Sequence, residues 1–170
     1  RDVAAGDIEA LLRFHDVTGL RDGFALARGL VEKCWDGLYP QPDEDGLETK
    51  VAPLAGLNGD SNEGTLLAPI RNTTITPSGF SFWQYQQARD ADKIADPDKK
   101  EEKLQSLGFS LEVIDANVAE SPAGYFTDLA DDLDQAANDF RAMNDALRQH
   151  CGHNAPPNSQ MLETLEEILR

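Results

Sequence analysis

The chain has 170 residues and a formal net charge of −16, from 31 acidic and 15 basic residues. This balance excludes a nucleic-acid surface and an anionic membrane as binding partners, because both attract basic footprints. No apolar run reaches the length of a membrane span, and residues 1–3 do not open a signal peptide. Because no methionine begins the sequence, we expect it to be a fragment of a longer protein.

The first forty residues predict two helices joined by a short break. The first spans residues 7–16 and is broken at Thr18-Gly19, and the second begins near Leu20. It ends at Tyr39-Pro40, because proline lacks the N–H that a continuing helix donates. A short connection favours neighbouring helices, so we expect an antiparallel pair. A close approach of the neighbouring helix would explain Gly23 and Gly29.

The second helix carries an apolar stripe with helical spacing. We expect Trp35, its largest side chain, to anchor whatever packs there. We expect Cys34 to be a buried free thiol, since two cysteines are too few for a disulfide framework. The stripe consists of Phe24, Ala27, Leu30, Val31, Cys34, Trp35 and Leu38.

The middle of the chain predicts short helices and at most a minor ribbon. A helix spans Leu47–Leu57 and is kinked or restarted at Pro53, and a helical turn follows at residues 65–70. Residues 72–76 are β-branched, which leaves a short β-ribbon near 72–82 as an alternative to an irregular segment. Ser81 is a candidate N-cap for a helix that ends near Ala91.

The C-terminal half predicts four helices. Asp96-Pro97 starts the first, residues 110–120 form the second, with Leu111, Ile114 and Val118 inward, and Ser121-Pro122 starts the longest. The fourth begins at Asn158 or Ser159. The longest helix has an apolar seam with coiled-coil spacing. Together the predicted helices indicate an all-α single domain of antiparallel hairpins over residues 1–170. The seam is Phe126, Leu129, Leu133, Ala136, Phe140, Met143 and Leu147.

A family resemblance begins where the second helix ends. The sequence Trp-Asp-x-Leu-aromatic-Pro, followed by an acidic turn and a leucine-rich helix, resembles the ImpA amino-terminal domain of TssA-type proteins in bacterial type VI secretion systems. Tyr39 stands where a histidine is commoner in that family. The resemblance to this family continues over residues 45–57. It returns at residues 67–70 and 110–118, in the long helix that begins at Ser121, and at residues 160–170. Its signature residues are Trp35, Asp36, Leu38, Tyr39 and Pro40.

The resemblance implies a cytoplasmic, non-enzymatic assembly component. Such a protein would dock onto baseplate and tail tube or sheath subunits during tail assembly, without inserting into a membrane. The full-length protein would form a homo-oligomer through a C-terminal region absent from this sequence. The signature residues would serve the core or the docking surface. A generic cytoplasmic helical adaptor, unrelated to secretion, is the alternative.

Four groups of residues could carry chemistry, and each has a simpler interpretation. His150-Cys151-Gly152-His153 lacks the second ligand pair of a zinc site, and its histidines suit a helix C-terminus. The acidic turns at residues 43–46 and 58–63 fail the spacing of a calcium loop. The aromatic cluster at 80–85 lacks a basic groove for nucleic acid, so it fills a core or forms a protein-binding patch.

Carboxylates are concentrated on the long helix, where they fall off the apolar seam. We interpret them as a solvated face rather than an acid–base pair, because acid–base work needs a pocket that perturbs them. They are Asp128, Asp131, Asp132, Asp134 and Asp139. We therefore predict no catalytic residue, no cofactor and no metal, which makes a helical hydrolase or metal enzyme the least favoured class.

Overall fold

The computed structural model describes residues 3–59 and 62–170, and it confirms the all-α prediction. No sheet occurs in these two ranges, only isolated β-bridges. None of the helices they contain is long and apolar enough to cross a membrane. In chain order the helices are α1 (Val3–Cys34), α2 (Leu47–Asn58), α3 (Leu67–Arg71), α4 (Phe82–Asp92), α5 (Pro97–Leu107), α6 (Leu111–Glu120), α7 (Ala123–Cys151) and α8 (Ser159–Leu169). Single 3₁₀ turns follow α1 at Trp35–Gly37 and α7 at Gly152–Asn154.

The chain divides into two compact units. The first combines residues 1–70 with 130–170, and the second is residues 71–129. The prediction of one domain over residues 1–170 stays a prediction. Asp60 and Ser61, in the second predicted acidic turn, lie outside the described residues.

Helix α1 is two helical segments joined at a kink. Asp16 interrupts it with φ 51° and ψ −137°, so the predicted break at Thr18-Gly19 was two to three residues late. The sequence signal misled because glycine is the usual break residue, whereas here an aspartate takes the left-handed conformation. Gly19 instead lies inside the second segment, 17–34.

The two segments of α1 pack as the predicted antiparallel pair. A Cβ built on Gly19 would lie 2.0 Å from the carbonyl oxygen of Leu11, and one on Gly23 would lie 3.3 Å from Cα of Ile8. The close approach predicted for Gly23 is therefore confirmed. That predicted for Gly29 was wrong, because no atom of a neighbouring element lies within 4 Å of its Cβ position.

The core of the first unit forms where α1 meets α7. Phe24 packs against Phe140 with ring centroids 4.9 Å apart, and both side chains are fully buried. The predicted seam of α7 is buried from Leu133 to Leu147, whereas Phe126 and Leu129 are half-buried. Met161 and Leu165 of α8 are also fully buried, as their spacing predicted.

Two of the carboxylates on α7 contradict the prediction of a solvated face. Asp132 accepts a hydrogen bond from Arg21 at 2.6 Å and another from Thr18 at 3.1 Å. Asp139, only 9% exposed, accepts one from Arg28 at 3.0 Å. The prediction failed because these carboxylates flank the seam, where arginines of α1 reach them. Asp128, Asp131 and Asp134 are exposed, as predicted.

Local capping determines most helix starts in the second unit. Ser81 and Gln84 form a capping box at the start of α4, so the predicted cap is confirmed. Asp96 accepts hydrogen bonds from the backbone of Asp98 and Lys99, with Pro97 in the first turn of α5. Between residues 72 and 82 there is a single bridge, Thr74 to Ser81, so no ribbon forms.

The aromatic cluster of the second unit is partly buried. Phe82 is 6% exposed and Phe80 contacts Phe109 edge-on, whereas Trp83 is 45% exposed. In α6 Ile114 is buried as predicted, but Val118 is 41% exposed, so its inward placement was wrong. The helix is only ten residues long, and Val118 lies in its last turn.

Helix α2 differs from its prediction at its proline. The helix is continuous from Leu47 to Asn58 with Pro53 inside it, so no restart occurs. A proline in a helix interior removes one hydrogen bond to the carbonyl four residues before it. Here that carbonyl belongs to Thr49.

Replacing glycines of α1 tests the close approach of its two segments. Gly19→Ala places a methyl group against the Leu11 carbonyl, and we expect it to lower the free energy of unfolding by about 2 kcal/mol or more. Gly29→Ala, in the same segment with open space around it, is the matched control. It should raise stability by about 0.5–1 kcal/mol, because alanine favours the helix. Chemical denaturation measures both, and equal effects would contradict the tight hairpin.

The ion pair of Asp139 gives a second stability test. Asp139→Asn keeps the shape of the side chain but removes the charge that Arg28 contacts. We expect a loss of about 1 kcal/mol, since the carboxylate is nearly buried while the arginine is half-exposed. Asp134→Asn, on the exposed side of α7, should change stability by less than about 0.5 kcal/mol. Thermal melts of both variants and of the unchanged protein make the comparison. If Asp139→Asn melts at the same temperature as the unchanged protein, the Arg28–Asp139 ion pair does not contribute to stability.

Candidate functional site

The five signature residues lie at the end of α1 and differ widely in exposure. Trp35 and Asp36 belong to the 3₁₀ turn, and Leu38, Tyr39 and Pro40 follow it. Trp35, Leu38 and Pro40 are half-buried, Asp36 is exposed, and Tyr39 is 82% exposed. Trp35 therefore lies at the edge of the core. The assignment of these residues to core or docking stays a prediction.

Trp35 is held between aromatic and cationic neighbours from two other helices. The His150 ring, near the end of α7, stacks on its indole with centroids 4.6 Å apart and planes 9° from parallel. The Lys50 ammonium of α2 lies 4.9 Å from the indole centroid and donates a hydrogen bond to the Leu38 carbonyl at 3.0 Å. A cation over an indole face is a favourable contact. This arrangement connects α1, α2 and α7 at one point.

Sequence analysis missed both Lys50 and His150. Lys50 is only 7% exposed, although lysine is almost never fully buried. Its position gave a signal, because it lies three residues after Leu47 and four before Leu54, on the apolar face of α2. His150 was interpreted only as a residue suited to a helix C-terminus.

A small pocket opens beside Trp35 within the first unit. Its volume is about 90 Å³. Ile8, Ala27 and Val31 are its most buried residues, and Tyr39 is its most exposed. The lining consists of apolar side chains except for Lys50, the hydroxyl of Tyr39 and the indole N–H of Trp35. It comprises Ala5, Ile8, Ala27, Leu30, Val31, Trp35, Leu38, Tyr39, Lys50, Pro53 and Leu54.

The loop between α1 and α2 is acidic and internally hydrogen-bonded. The Asp43 carboxylate accepts hydrogen bonds from the Thr49 hydroxyl at 2.7 Å and the Asp45 N–H at 2.9 Å. These bonds, that of Thr49 first, lower the pKa of Asp43 below its ordinary value of 3.8. The resulting stabilisation is present above pH 3.8 and is lost as the pH falls through the lowered value. The Gln41 amide donates to the carbonyls of Asp36 and Leu38 and ties the loop back to the helix end.

The two cysteines have opposite environments. Cys34 is exposed, so its prediction as a buried thiol was wrong. It precedes the 3₁₀ turn, where the chain leaves the helical spacing on which that prediction depended. Cys151 is buried, and burial raises its pKa above the ordinary 9.0 despite the opposing effect of Lys50.

In the part of the chain that the structure describes, no group of three His, Cys, Asp or Glu residues could hold a metal ion.

The comparisons with known proteins agree on the family of the region around this pocket. Residues 2–59 match the family model described as ImpA, N-terminal, type VI secretion system. The match includes the signature from Trp35 to Pro40, so the resemblance seen in the sequence is confirmed.

A solved structure extends the likeness over nearly the whole chain. It is the N-terminal domain, including the conserved ImpA_N region, of the TssA component of the type VI secretion system from Burkholderia cenocepacia. It is 26% identical to this chain with a TM-score of 0.86, and the alignment covers 98% of this chain and 67% of that one. The search of curated proteins gave no match. This chain thus shares its fold with a TssA amino-terminal domain, and its first 59 residues include the segment that is similar to the ImpA family.

Thiol chemistry tests the opposite environments of the cysteines. In the native protein at neutral pH, we expect iodoacetamide to modify Cys34 and to leave Cys151 unmodified until denaturant is added. Mass spectrometry of tryptic peptides gives the modified fraction at each site, and Cys34→Ser should abolish the native-state reaction. Equal labelling of the two thiols in the folded protein would contradict the structure.

Proposed function

We propose that this chain is a non-enzymatic assembly component of a type VI secretion apparatus, docking onto baseplate and tail tube or sheath subunits during tail assembly. The observation that carries the proposal is the match of residues 2–59 to the ImpA amino-terminal family, together with the fold likeness to a TssA domain. The proposed location is the bacterial cytoplasm, where those subunits assemble.

The surface of the first unit supports a docking role. The pocket beside Trp35 presents half-buried apolar side chains next to an exposed aromatic one, Tyr39. Protein interfaces are built around aromatic and apolar anchors within a polar rim. The strong negative charge of the chain favours partners with basic patches and fast association at low salt.

The domain organisation of the whole protein is part of the same proposal. Residues 1–170 act as one amino-terminal docking domain, and a C-terminal region outside this sequence forms the homo-oligomer. The alternative of an adaptor unrelated to secretion has weaker support, because the family match includes the distinctive Trp35–Pro40 signature rather than a leucine pattern alone.

Pull-down against purified apparatus subunits tests the docking role. We expect the immobilised chain to retain at least one baseplate, tube or sheath subunit, more strongly at low than at high salt, because salt screens surface charges. The full-length protein is the positive control. If the full-length protein retains a subunit and this chain retains none at any salt concentration, the docking role belongs to another part of the protein.

A further inference from the structure

The pocket beside Trp35 has the dimensions of an aliphatic side chain. An engineered apolar cavity of about 150 Å³ accommodates a benzene molecule. At about 90 Å³ the present pocket is smaller, so it suits a leucine-sized group better than an aromatic ring. Its most buried walls are Ile8, Ala27 and Val31, each 5% exposed or less, which gives an inserted methyl group dry contacts on several sides.

The polar groups of the lining are already engaged in part or lie at the edge. The Lys50 ammonium donates to the Leu38 carbonyl and contacts the Trp35 ring. The Tyr39 side chain is 82% exposed and stands beside the opening. The interior therefore favours an apolar group over a charged one.

The segment that joins α1 to α2 is negatively charged. Between Lys33 and Lys50 there are five acidic residues and no basic residue, and all five acidic residues are exposed. Four of them lie in the turn and loop that connect the lining residues of α1 to those of α2, and Glu48 lies in the first turn of α2. They are Asp36, Asp43, Glu44, Asp45 and Glu48.

This charge distribution selects between possible occupants. A second copy of the chain would bring another −16 charge to an acidic surface, which is unfavourable. A segment with lysines or arginines on both sides of its apolar anchor would meet opposite charge at the rim, which raises the association rate and the specificity.

We propose that the pocket lined by Trp35, Lys50 and Leu54 binds a leucine-sized side chain of a partner protein, within a segment rich in Lys or Arg. The inference rests on the proposed docking function, for which it names the place and the chemistry of the partner.

The first experiment uses a short synthetic peptide with one leucine flanked by lysines on both sides. Titration into the isotopically labelled chain should shift the NMR signals of Lys50, Leu54 and the Trp35 indole. Peptides with alanine for leucine, or with glutamate for the lysines, should shift them at least about tenfold less at equal concentration. If the leucine-lysine peptide leaves these signals unmoved, or if the alanine peptide moves them equally, the proposal is wrong.

Substitutions then ask whether a retained apparatus subunit uses the same pocket. Ala5→Leu fills the pocket from its wall, and we expect at least about a tenfold weaker Kd, with a melting temperature that is unchanged or higher. Ala25→Leu, on an exposed position of α1, is the matched control and should bind normally. Tyr39→Ala should also weaken binding, whereas Phe14→Ala, which removes an aromatic side chain that is equally exposed at 82%, should not.

Charge reversal tests the acidic rim separately. Glu44→Lys with Asp45→Lys should weaken binding of the subunit and reduce its salt dependence, because both residues are exposed in the loop that joins the pocket-lining residues Tyr39 and Lys50. Glu163→Lys with Glu167→Lys makes the same change in net charge at two exposed positions of α8 that do not line the pocket. Equal losses from both pairs would indicate an effect of total charge and would overturn the role of the rim.

The outcomes separate this inference from the function on which it rests. If the peptide binds but no apparatus subunit is retained, the secretion role fails and the pocket specificity stands. If a subunit is retained and Ala5→Leu binds it as well as the unchanged chain does, docking stands and the pocket is not its site. A change in oligomeric state caused by Ala5→Leu, measured by analytical ultracentrifugation, would show that a second copy occupies the pocket and would overturn the proposal.

Discussion

The parallel packing of the second segment of α1 along α7 is the contact on which the first unit depends. Arg21 contacts Asp132 and Arg28 contacts Asp139, so the two pairs are separated by seven residues on each helix. Because the later arginine pairs with the later aspartate, the two helices run in the same direction, and the equal spacing keeps one register over two turns. Phe24 lies between the two arginines on α1, and its contact with Phe140, next to Asp139 on α7, provides the apolar part of the interface.

This register determines where both helices end. Because the helices are parallel, their C-terminal ends meet, and the Trp35 ring reaches the His150 ring. Each end presents carbonyl groups and the negative pole of a helix dipole. The buried ammonium of Lys50 lies at this point and donates to the Leu38 carbonyl, so its burial has an electrostatic cause as well as a packing one. The pocket lies on the α1 side of this point, between the two segments of α1, the residues that follow α1, and α2.

Sequence reasoning succeeded where the signal was local. The caps at Ser81 and Asp96 and the seam of α7 depend on neighbouring residues or on helical spacing, so the sequence alone predicts them. The kink was misplaced because a left-handed aspartate gives no signal comparable to glycine. The exposure of Cys34 was missed because its own backbone, with φ −124° and ψ 13°, leaves helical geometry where the 3₁₀ turn begins, so the helical spacing no longer places its side chain.

Only part of the candidate site could be predicted from the sequence, for a related reason. The signature from Trp35 to Pro40 is contiguous, and a contiguous pattern can be recognised without a structure. Lys50 reaches Trp35 from α2 and His150 reaches it from α7, so both contacts depend on how separate helices pack. Arg21 and Arg28 have the same seven-residue spacing as Asp132 and Asp139, but this pattern fits parallel and antiparallel helices equally well, so the sequence alone does not predict the direction. The structure shows that Arg21 pairs with Asp132 and Arg28 with Asp139, and this parallel order brings His150 of α7 onto Trp35 at the edge of the pocket.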